Sequence, residues 1–254
     1  MKPILTLDNI TVTFDGFKAI KNVNTAIHEN EVRFFIGPNG AGKTTLLDVI
    51  CGRTHPSEGK VLFRQVTQNQ DLCKMSEHEI VQLGIGRKFQ TPSIFPGITI
   101  QENMELAAMK KHSLYSSIFG NLSKEKYERI QETLQEIGLY DLRYYLPTRL
   151  SHGQKQWLEI GMLFVSEPKL MLLDEPVAGM GRKETEKTSE LIKRISKECT
   201  VVIVEHDMEF VRACSTDVTV LHEGAILDEG KMTDVENNQK VIDVYLGRGG
   251  DVGA

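Results

Sequence analysis

The sequence predicts an α/β protein with a helical subdomain inserted into the α/β body. Residues 4–14 alternate between apolar and polar side chains, which is the period of a strand with one buried face. Residues 170–173 and 201–204 are continuous apolar runs, typical of strands covered on both faces of a parallel sheet. Residues 99–145, which precede both runs, place apolar side chains three and four positions apart, the spacing of amphipathic helices.

The elements of the first half can be taken in order. We interpret residues 4–14 as a strand pair and residues 26–36 as one further strand that ends in an apolar triplet. A glycine-rich turn follows, and then a helix over residues 42–51. Ser76 and Glu79 have the spacing of a capping box, which predicts that a helix begins there. Shorter strands are expected over residues 60–63 and 86–89.

The second half returns to alternating helices and strands. The expected helices are residues 151–165, 182–196 and 208–214, and the expected buried strands are residues 170–173 and 201–204. Two further short strands flank His222-Glu223-Gly224, a sequence that favours the turn of a β-hairpin. This regular alternation of helix and strand is what an α/β domain requires.

Composition excludes several classes of protein. The chain has 254 residues and a net charge of −5, which argues against a nucleic-acid partner because such proteins usually carry a basic excess. The four cysteines, Cys51, Cys73, Cys199 and Cys214, form no C-x-x-C pair and are expected to be inert thiols of a reducing cytosol. The chain has neither a signal-peptide core nor an apolar run of membrane-spanning length. We therefore expect a cytoplasmic protein that reaches any membrane through partners.

A phosphate-binding loop is the strongest motif in the chain. Residues 37–44 match G-x-x-x-x-G-K-[ST], and they lie between an apolar strand and a helix, as this motif requires. Glycines let the backbone turn its N–H groups inward, where they and the helix N-terminus bind phosphate oxygens. The predicted ATP-binding residues here are Gly37, Pro38, Asn39, Gly40, Ala41, Gly42, Lys43, Thr44 and Thr45. Lys43 would contact the β- and γ-phosphates, and the Thr44 hydroxyl can bind Mg²⁺.

Two carboxylates end the apolar strand at residues 170–173. Because the carboxyl ends of parallel strands face the ligand crevice, Asp174 is placed to hold Mg²⁺ and Glu175 to act as general base towards an attacking water. An ordinary exposed acidic pair at a strand end is the alternative. The phosphate loop upstream favours the catalytic interpretation.

The segment Leu150-Ser151-His152-Gly153-Gln154 opens a helix with Ser151 as its N-cap. It resembles the L-S-G-G-Q signature of the ABC ATPases, with His152 in place of the first glycine. The resemblance implies that Ser151, Gly153 and Gln154 bind the γ-phosphate of ATP held by a second subunit in a head-to-tail dimer. We interpret His152 as a tolerated side chain beside that site.

The resemblance to ABC ATPases extends along nearly the whole chain and implies further roles. Gln90 matches the glutamine that binds Mg²⁺ and senses the attacking water, His206 matches the switch histidine at the γ-phosphate, and Phe14 matches the aromatic that stacks on adenine. The implied fold is a P-loop ABC ATPase with a mixed-sheet RecA-like core and an N-terminal antiparallel β subdomain. The core would cover about residues 1–90 and 168–246, the inserted helical subdomain about 91–167, and a flexible tail 247–254. One departure is Gly181, where the family usually has an aspartate that helps to couple the two ATP sites.

Several segments resemble one branch of the family. Residues 84–92, 113–123 and 241–247 are similar to the ATPases of branched-chain amino acid and amide importers, and residues 151–162, 176–180 and 205–212 look most like those of urea importers. The resemblance implies an ATP-hydrolysing motor of a bacterial importer for urea or short amides, bound to the inner face of the membrane. The implied partners are a second ATPase subunit, identical or different, two permease subunits and, indirectly, a soluble substrate-binding protein.

Three other functions stay open at this point. The chain could serve a branched-chain amino acid importer in the same role, or be a soluble ABC ATPase without a transport function, although it lacks the long coiled coil or second cassette common in the latter. A small-molecule P-loop kinase is the third alternative. The signature at residues 150–154 argues against a kinase.

Overall fold

The computed structural model describes residues 3–65, 69–88, 94–109 and 122–246, with residues 245 and 246 described by their backbone alone. Within these ranges the strands are β1 (Pro3–Phe14), β2 (Phe17–His28), β3 (Val32–Ile36), β4 (Glu58–Arg64), β5 (Asn69–Asp71), β6 (Ile85–Lys88), β7 (Leu170–Asp174), β8 (Thr200–Val204), β9 (Asp217–His222) and β10 (Ala225–Gly230). The α-helices are α1 (Lys43–Ile50), α2 (Glu77–Gln82), α3 (Ile100–Ala108), α4 (Lys124–Glu136), α5 (His152–Val165), α6 (Arg182–Ile195), α7 (Met208–Cys214), α8 (Met232–Val235) and α9 (Gln239–Leu246).

An antiparallel sheet in the order β2-β1-β4-β5 contains the N-terminal strands. The predicted strand pair within residues 4–14 is wrong, because β1 is a single strand of 12 residues that pairs with β2 on one side and β4 on the other. The pairing of β1 with β2 is irregular between Leu7 and Ile10, and Asn9 there has a left-handed φ of 53°. This irregularity accommodates the break in the alternating pattern without ending the strand.

The second correction concerns residues 26–36, which are not one strand. β2 ends at His28, and β3 begins at Val32 in the other sheet. Asn30 turns the chain between them with a φ of 61°, a conformation that asparagine adopts more readily than most residues. The Glu31 carboxylate accepts the backbone N–H of His28 at 2.7 Å and so stabilises the turn. Residues 28–31 at this turn are all polar, which is typical of a break between two strands.

The main sheet has the order β10-β9-β3-β8-β7-β6. Its strands run parallel except for β10, which pairs antiparallel with β9. The predicted hairpin is confirmed: Glu223 and Gly224 both have positive φ, as a tight turn between two strands requires. The mixed sheet and the antiparallel β sheet together confirm the predicted α/β fold class.

Both faces of the main sheet are buried, and alternate residues of each strand belong to different cores. On β3, Phe34 packs with the helices of the second half, its ring 5.6 Å from that of Phe210. Its neighbour Phe35 faces α1 and the antiparallel sheet. This arrangement explains the continuous apolar runs at residues 170–173 and 201–204, since neither face of these strands is exposed to water.

Residues 99–145, predicted to be helical, contain α3 and α4 among the described residues, and α5 follows them. Thr99 and Ser151 cap α3 and α5 with complete capping boxes, as Ser76 does for α2. A buried ion pair between Lys88 of β6 and Glu159 of α5, at 3.4 Å, joins the main sheet to this helical region. Across the described ranges, no helix is both long enough and apolar enough to cross a bilayer.

The loops that carry the predicted site follow three neighbouring strands. β8 lies between β3 and β7, and all three run in the same direction, so their carboxyl ends meet at one edge of the sheet. Beyond these ends the pairing continues through the backbone, where the N–H of Glu175 donates to the carbonyl of Val204 at 2.9 Å. The fold therefore brings together segments that lie far apart in the sequence.

Candidate active site

The phosphate loop joins β3 to α1 and depends on two glycines. Gly37 has a φ of +147°, and a Cβ there would lie 2.1 Å from the carbonyl oxygen of Leu221. Gly42 has a φ of +101°, and a Cβ there would lie 2.4 Å from Cδ1 of Ile20. Larger residues would displace the loop at both positions. The loop is thus held tightly enough to direct the N–H groups at the start of α1 towards a bound anion.

Lys43 is the first residue of α1, and its side chain folds back over the loop. Its Nζ donates to the carbonyl oxygens of Gly37 at 2.8 Å and Pro38 at 3.1 Å. Burial lowers the pKa of Lys43, and the negative charges of Glu175 and Asp174 act in the opposite direction. The ammonium group is therefore placed close to both carboxylates, inside the concave face where phosphates would bind.

Asp174 ends β7 and is almost completely buried. Its Oδ2 lies 3.4 Å from Nη2 of Arg87, whose Nη1 lies 2.6 Å from the Asp48 carboxylate. Burial raises the pKa of Asp174, while the charge of Arg87 opposes that rise. In the described part of the chain, Oδ1 of Asp174 is buried and has no hydrogen-bond partner. An unpaired buried carboxylate oxygen beside a phosphate loop, with the Thr44 hydroxyl exposed at the same loop, fits the oxygen ligands that Mg²⁺ prefers.

Glu175 follows with an unusual backbone conformation. Its φ is +47°, in the left-handed region that glutamate rarely occupies. The hydrogen bond to Val204 holds this conformation, and strain of this kind is common at functional sites. The side chain is partly exposed, and its Oε1 lies 3.9 Å from Nδ1 of His206. The predicted base and the predicted switch histidine thus face each other at the sheet edge.

Glu205 is a site residue that the sequence analysis missed. This fully buried carboxylate accepts the backbone N–H of Val177 at 3.2 Å, of His206 at 3.0 Å and of Asp207 at 3.4 Å. Burial raises the pKa of Glu205, and these donors act against the rise by stabilising the charged form. Glu205 therefore joins the loop after Glu175 to the loop that carries His206. The sequence signal that could have identified Glu205 is its position directly after a continuous apolar strand.

Glu205→Gln is expected to destabilise the fold by about 1–3 kcal/mol, since the amide NH₂ would face backbone N–H groups that now bond to a carboxylate. We also expect ATP turnover to fall while ATP affinity is kept, because the loops of Glu175 and His206 lose their common acceptor. Denaturant unfolding and steady-state ATPase assays measure the two effects. Glu209→Gln, at an exposed position in α7, is the matched control. Equal unfolding midpoints for the two variants would contradict the assigned role.

The signature segment forms the N-terminus of α5. The Ser151 hydroxyl accepts the Gln154 N–H at 3.2 Å, and the Gln154 side chain accepts the Ser151 N–H at 2.9 Å. Gly153 is buried against Glu184, and a Cβ at Gly153 would lie 2.4 Å from that carboxylate. The contacts described for this segment join it to the loop after Glu175 and not to the phosphate loop of the same chain.

The remaining predicted residues lie at the edges of the site or outside the described ranges. Phe14 is 49% exposed at the end of β1, so it is not a core residue. Asn39 and Gly40 are exposed at the tip of the phosphate loop, and Thr45 is partly buried in α1. Gly181 has a φ of −78° and stands at the N-cap of α6, where it lacks a capping side chain. Gln90 and the tail at 247–254 lie outside the described residues.

Cys51 lies beside the site, where its Sγ accepts a hydrogen bond from Nη1 of Arg87 at 3.1 Å. All four cysteines are unbridged, and burial raises the pKa of both Cys199 and Cys214 to about 12, which leaves these thiols protonated and unreactive. Over the described part of the chain, no cluster of three or more His, Cys, Asp or Glu side chains could hold a metal ion. An Mg²⁺ ion here would need oxygen atoms of the nucleotide and water in addition to the protein ligands.

Comparison with known proteins agrees with this geometry. Residues 20–178 match the family described as ABC transporter. The high-affinity branched-chain amino acid transport ATP-binding protein LivG of Escherichia coli K12 is 32% identical over 97% of this chain and 98% of its own length. The ADP conformation of MJ1267, an ATP-binding cassette of an ABC transporter, superposes with a TM-score of 0.83 at 30% identity, covering 97% of this chain and 100% of MJ1267.

A second solved structure concerns assembly. The cassette MJ0796, in a dimeric post-hydrolysis state bound to ADP and Pi, has a TM-score of 0.75 at 30% identity over 90% of this chain and 98% of its own. The nucleotide-binding fold, the phosphate loop and the full-length similarity therefore point to one conclusion. The chain belongs to the ABC transporter family and is an ATP-hydrolysing, ATP-binding subunit of its LivG-like branch.

Proposed function

We propose that this chain is the motor subunit of an importer, in which two ATPase cassettes close on ATP and separate after hydrolysis. The observation that carries the proposal is the meeting of Lys43, Asp174, Glu175 and His206 at one sheet edge. A charged phosphate receptor, a buried carboxylate and a partly exposed carboxylate are the groups that phosphoryl transfer to water requires. Differential binding drives the closing and opening of the two cassettes, because ATP stabilises the closed state and ADP does not.

Each residue of the site has a separate task in this mechanism. The backbone N–H groups of residues 37–45, apart from Pro38, and the Lys43 ammonium bind the phosphates and balance their charge. Glu175 accepts a proton from the attacking water, and its partial exposure leaves room for that water. His206 contacts the γ-phosphate from the neighbouring loop. Glu205 keeps these two loops at a fixed separation through its three backbone hydrogen bonds.

Asp174 and Thr44 would hold Mg²⁺, with Gln90 as a further ligand. The unpaired Oδ1 of Asp174 supports this assignment. The ion would neutralise negative charge on the β- and γ-phosphates when it is bound. Arg87 holds the other oxygen of Asp174 and so fixes the direction in which Oδ1 points.

Completion of the site requires a second cassette, either another copy of this chain or a different one. Ser151, Gly153 and Gln154 lie at a capped helix N-terminus, which binds anions well, yet their contacts within the chain lead away from the phosphate loop. The dimeric structure of the relative MJ0796 supports the same arrangement. Two permease subunits and a substrate-binding protein would complete the transporter, with this chain on the cytoplasmic face of the membrane.

Branched-chain amino acids are the substrate class that the relatives support best, ahead of the urea that the sequence segments suggested. LivG of Escherichia coli and BraF of Pseudomonas aeruginosa, both 32% identical to this chain, are named for branched-chain amino acid transport. Urea or a short amide is the second candidate, and it rests on the residues around Ser151 and His206. The substrate is recognised elsewhere in a transporter of this kind, so the ATPase residues do not discriminate between the two.

Uptake measurements distinguish these substrates. Cells that lack the gene for this chain should lose uptake of radiolabelled leucine if the transporter carries branched-chain amino acids, and of radiolabelled urea if it carries urea. Restoring the wild-type gene should restore uptake, whereas a gene encoding Glu175→Gln should not. Unchanged uptake of both solutes would contradict the proposed substrates. Failure of the chain to copurify with any integral membrane protein would contradict the transport role itself and favour a soluble ABC ATPase.

A further inference from the structure

The side chain of His152 makes a contact that the sequence did not suggest. Its Nε2 lies 3.0 Å from the carbonyl oxygen of Ala178, in the loop that follows Glu175. The imidazole ring also packs over Gly179, where an added Cβ would lie 3.4 Å from Nε2 and where φ is +72°. His152 therefore bridges the first turn of α5 to the middle of the loop after the predicted base.

The hydrogen-bond partner of His152 determines which nitrogen of its ring carries the proton. A carbonyl oxygen only accepts, so Nε2 of His152 must carry the proton. The same nitrogen lies 3.4 Å from the amide of Gln156, one helical turn later, whose Oε1 is buried without a partner among the described residues. Amide orientation is assigned from such networks, and the orientation with Oε1 towards the ring gives the N–H a second acceptor. The imidazole N–H is then shared between the carbonyl of Ala178 in the loop and the amide of Gln156 in α5.

The bridge continues directly to Glu175. The backbone N–H of Ala178 donates to the carbonyl oxygen of Glu175 at 3.2 Å. Two consecutive hydrogen bonds thus lead from the His152 ring to the backbone of the residue whose left-handed conformation aims the carboxylate at the site.

The far end of the same loop is also attached to the signature segment. Glu184 accepts the N–H of Gly181 at 3.0 Å and packs against Gly153, which has no side chain to exclude it. His152 and Gly153 therefore contact the loop at two points. One contact lies near Glu175 and the other at the start of α6.

We propose that His152 is a positioning residue that makes the location of Glu175 depend on the location of the signature segment. The inference rests on the proposed function, in which Glu175 acts on ATP bound to its own chain and Ser151 and Gly153 contact ATP bound to the second cassette. A shift of the signature segment towards that second ATP would carry Ala178 with it through the His152 bond. Hydrolysis at one site then responds to occupancy of the other.

Two substitutions separate the hydrogen bond from the packing of the ring. His152→Phe keeps an aromatic ring against Gly179 but removes the N–H, whereas His152→Gln places an amide N–H at a similar reach from the backbone. We expect His152→Phe to lower kcat about tenfold with little change in the KM for ATP, and His152→Gln to retain most of the wild-type kcat. Steady-state ATPase kinetics of the full chain measure both parameters.

The chain offers a matched control in α2. His78 is exposed and lies 2.9 Å from the amide of Gln82 at the same four-residue spacing as His152 and Gln156, but it belongs to a helix distant from the site. His78→Phe should therefore leave kcat unchanged. Hydrogen exchange gives a second measurement: amides of residues 178–181 should exchange faster in His152→Phe than in wild type or in His152→Gln.

The inference is overturned if His152→Phe retains the wild-type kcat, or if His152→Gln loses as much activity as His152→Phe. Unchanged exchange of the 178–181 amides in a folded His152→Phe variant would also overturn it. If the proposed function itself is wrong, replacement of Lys43 or Glu175 would leave ATP turnover intact. That result differs from every outcome expected of the His152 variants. The two sets of variants are assayed side by side.

Discussion

Replacement of Glu175 by glutamine is expected to reduce ATP turnover at least about 100-fold while ATP binding persists, since a positioned general base contributes about 10²–10⁴ to rate. Glutamine keeps the size and hydrogen-bonding capacity of the side chain but cannot accept a proton from water at neutral pH. The phosphate contacts of the loop at 37–45 are left in place. Rapid-quench ATPase measurements and equilibrium ATP binding test the two halves of this expectation.

The same variant should trap the ATP-bound assembly of two cassettes, because closure no longer leads to hydrolysis. Glu167→Gln is the matched control, since Glu167 is an exposed glutamate that also has a left-handed φ, here 55°, at the far end of β7. It should hydrolyse ATP at the wild-type rate. Wild-type turnover by Glu175→Gln would show that another group activates the water.

Lys43→Ala is expected to weaken ATP binding about 10- to 100-fold, because hydrogen bonds to charged groups contribute about 1.5–3 kcal/mol each. The Lys43 ammonium is held by two loop carbonyls at 2.8 and 3.1 Å, so it is already positioned where the phosphates bind. Its loss also leaves Asp174 and Glu175 without a nearby positive charge from this loop. Turnover should fall with affinity.

Titration of the purified chain with ATP by calorimetry measures this loss of affinity. Lys60→Ala is the control, because Lys60 is exposed on β4 in the antiparallel sheet and should bind ATP as the wild type does. An affinity within about twofold of wild type for Lys43→Ala would mean that the loop N–H groups alone carry phosphate binding.

The sequence predicted those parts of the site that depend on local order along the chain. The phosphate loop and the Asp174-Glu175 pair each follow a continuous apolar strand, and parallel strands bring their carboxyl ends to one edge without further information. The helix caps at Ser76 and Ser151 were likewise visible, because a capping box involves residues only three positions apart.

The parts that could not be predicted depend on contacts between distant segments. The role of Glu205 requires that the loops containing Val177 and His206 lie next to each other. Their proximity follows from the order of the strands in the sheet and not from any local sequence pattern. The His152 bridge requires the distance between α5 and the loop at Ala178. The turn at Asn30 was missed although residues 28–31 are all polar. Urea as the transported solute stays a prediction, and the relatives named for branched-chain amino acid transport favour the alternative.

The position of β8 has a consequence for biosynthesis. This strand is the bridge between β3 and β7, yet it is the last of the three to leave the ribosome. Until residues 200–204 have emerged, β3 and β7 cannot be joined in their final order, and Glu205 and His206 do not yet exist in the nascent chain. Such late, long-range pairing is slow to form. A partly synthesised cassette can therefore contain the complete phosphate loop and still be unable to consume ATP until residues 200–206 have been made.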